Sequence, residues 1–196
     1  EILSEVSNEN QEEIATILEQ TEKLDFLIQS LVKLSRMESG IIAVHSEDTT
    51  IKQMLESIQQ QFNVKVREKN ITLSLCDTDL HVRCDSKWTV EALGNIVDNA
   101  IKYTACGGNV QIKVEQYSFF VKIDIIDDGI GIEKEEIPKI FGRFYRSLSV
   151  ADQPGVGIGL FLAREIIQAQ KGYIKVTSKR GKGSTFSVFL PIAKKE

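Results

Sequence analysis

The chain has 196 residues, 42% of them hydrophobic and 27% charged, with 24 Lys and Arg against 28 Asp and Glu for a net charge of −4. That balance supplies a sizeable core and excludes a disordered chain. A net acidic charge with dispersed basic residues also argues against a nucleic-acid surface.

Between Gln11 and Glu38, apolar residues fall at Ile14, Ile17, Leu18, Leu24, Leu27, Ile28, Leu31 and Leu34. Steps of three and four predict one long helix with a narrow apolar stripe, the pattern of a helical bundle or coiled coil. No Gly or Pro interrupts it, and Gly40 stops it. Ser7, Asn8 and Asn10 predict a turn before this helix. Glu1 to Val6 is then the tail of a preceding helix, and the chain is expected to be a piece of something longer. Ile41 to His45 is expected to be extended. A helix follows from Thr50 to about Lys69, with Met54, Leu55, Ile58, Phe62 and Val66 on its apolar face.

Ile71 to Leu75 and Leu80 to Arg83 are short strand candidates. Asp85 and Ser86 are suited to cap a helix running to about Tyr103. Asn109 to Gln116 and Phe119 to Ile126 predict a hairpin. Next come a turn at Gly129 and Gly131, a short helix near Glu133 to Ile140, a loop through Pro154 and a helix over Gly157 to Gln170. Tyr173 to Ser178 and Thr185 to Leu190 are the last strands, and the basic run Lys171 to Lys182 fits a solvated strand-and-turn edge. This order predicts a mixed sheet with helices on one face, a two-layer α+β sandwich behind a long N-terminal helix.

Cys76, Cys84 and Cys106 have neither disulfide-framework nor zinc-ligand spacing. A reducing cytosol is the simplest compartment for them. No apolar run approaches the ~20 residues that cross a bilayer, so no membrane contact is expected of this stretch.

Four clusters carry candidate chemistry. Asn95, Asn99 and Lys102 share one helix face, where two amide oxygens and an ammonium suit a hard cation and a polyphosphate. A solvated helix face explains them equally well. Asp127-Asp128-Gly129-Ile130-Gly131 follows an apolar strand. A carboxylate there can accept from an exocyclic amine such as that of adenine, while an acidic turn is the simpler meaning of the segment alone. Gly155, Gly157 and Gly159 open a helix whose free N–H groups favour anions; a close helix contact is the plainer alternative. No βαβ context surrounds them, which excludes a dinucleotide fingerprint. Gly181-Lys182-Gly183-Ser184-Thr185-Phe186 alone is a hairpin turn.

In this order the four clusters resemble the ATP-binding signature of bacterial sensor histidine kinases. Phe141-Gly142-Arg143-Phe144-Tyr145-Arg146 is similar to that family's phenylalanine-containing segment, and Leu24 to Gly40 to the second helix of its dimerisation hairpin. The resemblance implies a partial hairpin over residues 1–42 and an ATP-binding catalytic domain over 43–196. It implies that Asn99 ligates Mg2+ with Asn95 beside the metal, that Lys102 and Tyr103 contact phosphates, and that Asp127 takes the adenine amine between Gly129 and Gly131. It puts Arg143 and Arg146 at the start of a lid, where either meets the γ-phosphate or both are surface charges. Gly155, Gly157 and Gly159 become lid hinges, and Thr185 lines the adenine pocket. It further implies a homodimeric parent in the bacterial membrane, with this portion cytoplasmic. The phosphate would pass from ATP to a hairpin histidine and then to an aspartate of a response regulator receiver domain.

One residue chooses among relatives, and one departure limits what this chain does. In the wider superfamily, ATPases such as type II topoisomerases and heat-shock chaperones carry a water-activating Glu where this chain has Asn95. An amide cannot be a general base. A kinase is therefore favoured over a superfamily ATPase, for which Glu91, one turn earlier and better suited to fixing the helix, would have to be the base; the intact set argues against a degenerate interaction module. The family's acceptor histidine sits early on the first hairpin helix. The histidines here are His45 and His81, and neither matches, so the chain is expected to bind ATP without autophosphorylating.

Overall fold

The structure, a computed structural model, describes residues 44–150, 153 and 155–193, with further helical positions scattered between 13 and 35. The expectations at residues 1–11, at 36–43 with the Gly40 stop, and at Pro154 lie outside the described residues. The chain divides into two units, residues 1–43 with 150–156 and residues 44–149 with 157–196. In the first, Ile14, Ile17, Leu18, Leu24, Ile28 and Leu31 are helical and between 47% and 63% exposed.

The second unit is built around a five-stranded sheet. Its strands are β2 (Thr72–Leu75), β4 (Asn109–Gln116), β5 (Phe120–Asp127), β6 (Tyr173–Ser178) and β7 (Ser184–Pro191), in the spatial order β2-β4-β5-β7-β6. β2 and β4 are parallel, and the remaining neighbours are antiparallel. A separate pair joins β1 (Glu47–Thr50) to β3 (His81–Cys84). The helices are α1 (Ile51–Glu68), α2 (Ser86–Tyr103) and α3 (Gly159–Ala169). Period-two alternation sends Val121, Ile123 and Ile125 of β5, and Phe186, Val188 and Leu190 of β7, to the buried face. Against that face pack Ala92, Leu93, Ile96 and Val97 of α2 and Leu162, Ile166 and Ile167 of α3. The expected two-layer α+β arrangement is the one observed.

Three local differences have physical reasons. β1 was not predicted, because Glu47-Asp48-Thr49-Thr50 has no apolar alternation and gains its ladder only from β3. The expected helix near Glu133 to Ile140 is a chain of turns, with Ile137 bonded to Glu133 and Ile140 to Glu136. Pro138 interrupts it by lacking the N–H that would continue the ladder. The last helix starts at Gly159 rather than Gly157, whose φ is 78°.

α2 is fixed at its start. Asp85 caps it, its carboxylate accepting from the Trp88 N–H at 3.2 Å. The buried Gln170, just past α3, accepts from the Asp85 N–H at 2.6 Å and the Thr89 hydroxyl at 3.2 Å, and donates to the Ile166 carbonyl at 3.2 Å. Gln170→Leu leaves two donors unpaired. It is expected to lower the unfolding free energy by about 3 kcal/mol, read as a lower urea midpoint at unchanged m-value.

Candidate functional site

α2 presents Asn95, Asn99 and Lys102, all half-buried. The Asn95 Nδ2 donates to the Glu91 carbonyl at 2.9 Å. That turns Oδ1 toward the first residue of α3, where a Cβ on Gly159 would lie 2.9 Å from it. Gly159 therefore lets the start of α3 approach Asn95. At the other end of α2, the Lys102 ammonium lies 4.9 Å from the Tyr103 ring centroid.

Burial, and then the nearby Arg146 guanidinium, lowers the Lys102 pKa. Burial raises that of Tyr103, on which Arg146 acts in the opposite sense. Arg146 thus shares the field of Lys102 and Tyr103. The Arg143 guanidinium lies 4.6 Å from the Phe161 ring of α3. The structure separates two arginines that the sequence left equivalent.

The two aspartates after β5 separate as well. Asp127 is buried, and its Oδ1 accepts from the Gly129 N–H at 2.9 Å and the Ser184 N–H at 3.2 Å. Its Oδ2 takes no hydrogen bond among the described residues. Burial raises the Asp127 carboxyl above its ordinary pKa, against the pull of those two amides. Asp128 instead accepts from the backbone and side-chain N–H groups of Asn109 at 2.9 and 2.8 Å. These bonds lower its pKa and clamp the start of β4.

The turn after Asp127 is squeezed between other backbones. The Tyr103 carbonyl accepts from the Ile130 N–H at 3.2 Å, and a Cβ on Gly129 would lie 2.5 Å from the same oxygen. Gly131 meets the Lys179 carbonyl in the same way. Gly157 packs on the Tyr145 carbonyl, and Gly155 belongs to the other unit.

Asn95, Asn99, Lys102, Tyr103, Arg146, Asp127, Gly129 and Gly159 are therefore carried by α2 and the segments packed around it. Thr185 is not among them. It pairs with Ile126 on the outer face of the sheet, while Ser184 pairs with Asp127 on its face. Sequence reasoning missed Ser184 because a turn of unknown register does not reveal which residue points inward. Among the described residues, no group of three or more His, Cys, Asp and Glu converges as a metal site. None of the described helices is long and apolar enough to cross a membrane.

Residues 84–194 match the family described as histidine kinase-, DNA gyrase B-, and HSP90-like ATPase. The sensor histidine kinase WalK of Bacillus subtilis is 34% identical over 177 residues, covering 88% of this chain and 29% of WalK. The chain spans about a third of the length of the curated relatives it matches. Among solved structures, the mycobacterial sensor histidine kinase MprB is similar with a TM-score of 0.67 at 26% identity, covering 75% of this chain and 97% of that one. Full-length ShkA, solved in complex with AMPPNP, is alike in fold with a TM-score of 0.78 at 21% identity, covering 88% and 36%.

Proposed function

Because the chain belongs to the histidine kinase-, DNA gyrase B-, and HSP90-like ATPase family, as the ATP-binding catalytic domain of a bacterial sensor histidine kinase, we propose that it donates the γ-phosphate of ATP to a histidine. That histidine stands on a dimerisation hairpin, to which residues 1–42 contribute, and the phosphate then passes to an aspartate of a response regulator. The carrying observation is Asp127. It is a buried carboxylate with one oxygen held by two amides and the other meeting no hydrogen-bond donor among the described residues. An adenine amine supplies the missing donor. Gly129 and Gly131 let the backbone close around the base.

Lys102 and Arg146 lie where the phosphates follow. Two mutually repelling cations at a partly buried site gain most when a polyanion enters. Arg146 rather than Arg143 is the guanidinium for the γ-phosphate, since Arg143 stacks on Phe161. Asn99 is the side-chain ligand for Mg2+. An amide oxygen is a hard donor suited to Mg2+, which would complete its shell with waters and phosphate oxygens. When bound, that ion neutralises charge on the transferring phosphoryl group. Asn95 provides no base for water, so the bound nucleotide is spared for transfer.

Transfer breaks the bond from the γ-phosphorus to its bridging oxygen, releases ADP and forms a phosphorus–nitrogen bond to imidazole. The acceptor is neither histidine of this chain. His81 pairs with Asp48 across β1 and β3, and His45 belongs to the same unit as the sheet. The chain alone is proposed not to autophosphorylate. The exposed stripe from Ile14 to Leu31 is assigned to the homodimer's bundle.

Calorimetric titration with a non-hydrolysable ATP analogue, with and without Mg2+, tests the reading. Binding should require Mg2+ for full affinity. Arg146→Ala should weaken it about tenfold, and Arg143→Ala less than about threefold, the difference between a charge-assisted contact and a remote charge. A folded, unmodified chain that takes up no nucleotide would sink the proposal.

A further inference from the structure

The helix that carries Asn95, Asn99 and Lys102 ends at Tyr103, beside the place assigned to the phosphates. A helix C-terminus exposes free carbonyls equivalent to about half a negative charge. Left alone, that end of α2 would repel the polyphosphate that Lys102 is placed to bind. Each carbonyl of the last turn has a partner. Tyr103 accepts from the Ile130 N–H at 3.2 Å, and Ala100 from the Thr104 N–H at 3.1 Å. The carbonyls of Ile101 and Lys102 both accept from one ammonium, that of Lys69, at 2.9 and 2.6 Å.

Lys69 is held for this contact. It caps the C-terminus of α1, directly after Glu68, and the next residue, Asn70, adopts a φ of 52°. The Ile71 N–H returns to the Val66 carbonyl at 2.9 Å and the Asn70 N–H to Arg67 at 3.1 Å. This paired closure fixes the backbone of a helix end. The Lys69 carbonyl in turn accepts from the Gly107 N–H at 3.3 Å, beyond the end of α2. The side chain is thus half-buried between the ends of two helices, with its charge on the carbonyls of the phosphate-facing turn.

Resting on the nucleotide reading above, we propose that Lys69 is a positioning residue for phosphate binding. Its ammonium cancels the negative end of α2 and holds the turn that presents Lys102, without touching nucleotide itself. The effect must grow with ligand charge, which a merely structural role would not produce.

The test is the affinity of the whole chain for AMP, ADP and a non-hydrolysable ATP analogue, without added magnesium. Lys69→Met is compared with Lys69→Arg and with Lys52→Met, which removes from α1 a lysine whose ion pair with Asp77 is exposed. Lys69→Met should weaken the ATP analogue about tenfold, ADP about threefold and AMP less than about twofold, as expected for loss of a charge at a helix end. Lys69→Arg should restore most of the loss, and Lys52→Met should change nothing. If Lys69→Met does not fold, Lys69→Gln keeps a donor without the charge and should show the same grading. Equal losses for AMP and the ATP analogue, or no loss, would overturn the inference while leaving the site reading intact. No binding of any nucleotide by the unmodified chain would overturn both.

Discussion

Asp127→Asn is expected to reduce affinity for the ATP analogue about 100-fold, an effect of roughly 3 kcal/mol, while the chain stays folded. The asparagine oxygen still accepts from the Gly129 and Ser184 N–H groups, whose bonds both fall on Oδ1. Its amide nitrogen then faces the adenine amine, donor against donor, where a charge-assisted acceptor stood. Fold and function should separate in this variant. The folded pKa of Asp127 is raised above its unfolded value. The native state therefore holds the extra proton between those two values. The cost of ionised Asp127 is complete above the folded pKa and is relieved as pH falls through it. At neutral pH the unliganded Asp127→Asn chain should accordingly melt above the parent, and the gap should close as pH falls through that raised pKa. Thermal melts of both proteins across pH, beside calorimetry at neutral pH, check both halves. A variant that binds normally would remove Asp127 from the site.

Gly183→Ala should have the largest effect on folding. Gly183 holds a φ of 83°, and a Cβ there would lie 1.9 Å from the Asp127 carbonyl oxygen. Its own carbonyl accepts from the Ser178 hydroxyl at 2.9 Å and the Lys179 N–H at 3.3 Å, so neither backbone has freedom to yield. The clash is with main chain, and about 4 kcal/mol is expected, a fall of roughly 10 °C in melting temperature. Displacing the start of β7 also carries the Ser184 N–H away from Asp127, so nucleotide affinity should fall with stability. Gly181→Ala separates the two causes. Gly181 has a similar φ of 74° but nothing within 4 Å of an added Cβ. It should lose only the left-handed penalty of about 1 kcal/mol. Equal losses at the two positions would show that close approach to Asp127 is not the constraint.

The helices and most strands were legible because periodicity is a property of neighbours in the chain. Met54, Leu55, Ile58 and Phe62 mark the buried face of α1 as directly as Val110 and Ile112 mark that of β4. The limits of β4 and of β6 agree with the pattern residue for residue. β1 was illegible because its ladder belongs to β3, over thirty residues away. Lys69 was illegible for a related reason. It is a polar residue at the end of an amphipathic helix, and its partners lie 32 and 33 positions further on.

By itself the sequence determined the elements, their α+β order and the four glycine- and amide-bearing clusters, since these depend on local pattern and on their order along one chain. Only the tertiary structure decided which member of each near-equivalent pair faces inward. Asp127 rather than Asp128 is chosen by the register of β5 with β4 and β7. The same register sends Ser184 inward and Thr185 out, because one step along a strand reverses the face. Arg143 and Arg146 differ likewise, the first lying on the Phe161 ring of α3 and the second acting on the field of Lys102. Each choice turns on contacts between segments far apart in sequence, such as the 57 residues between Asp127 and Ser184. Packing sets those contacts, and no local period encodes them.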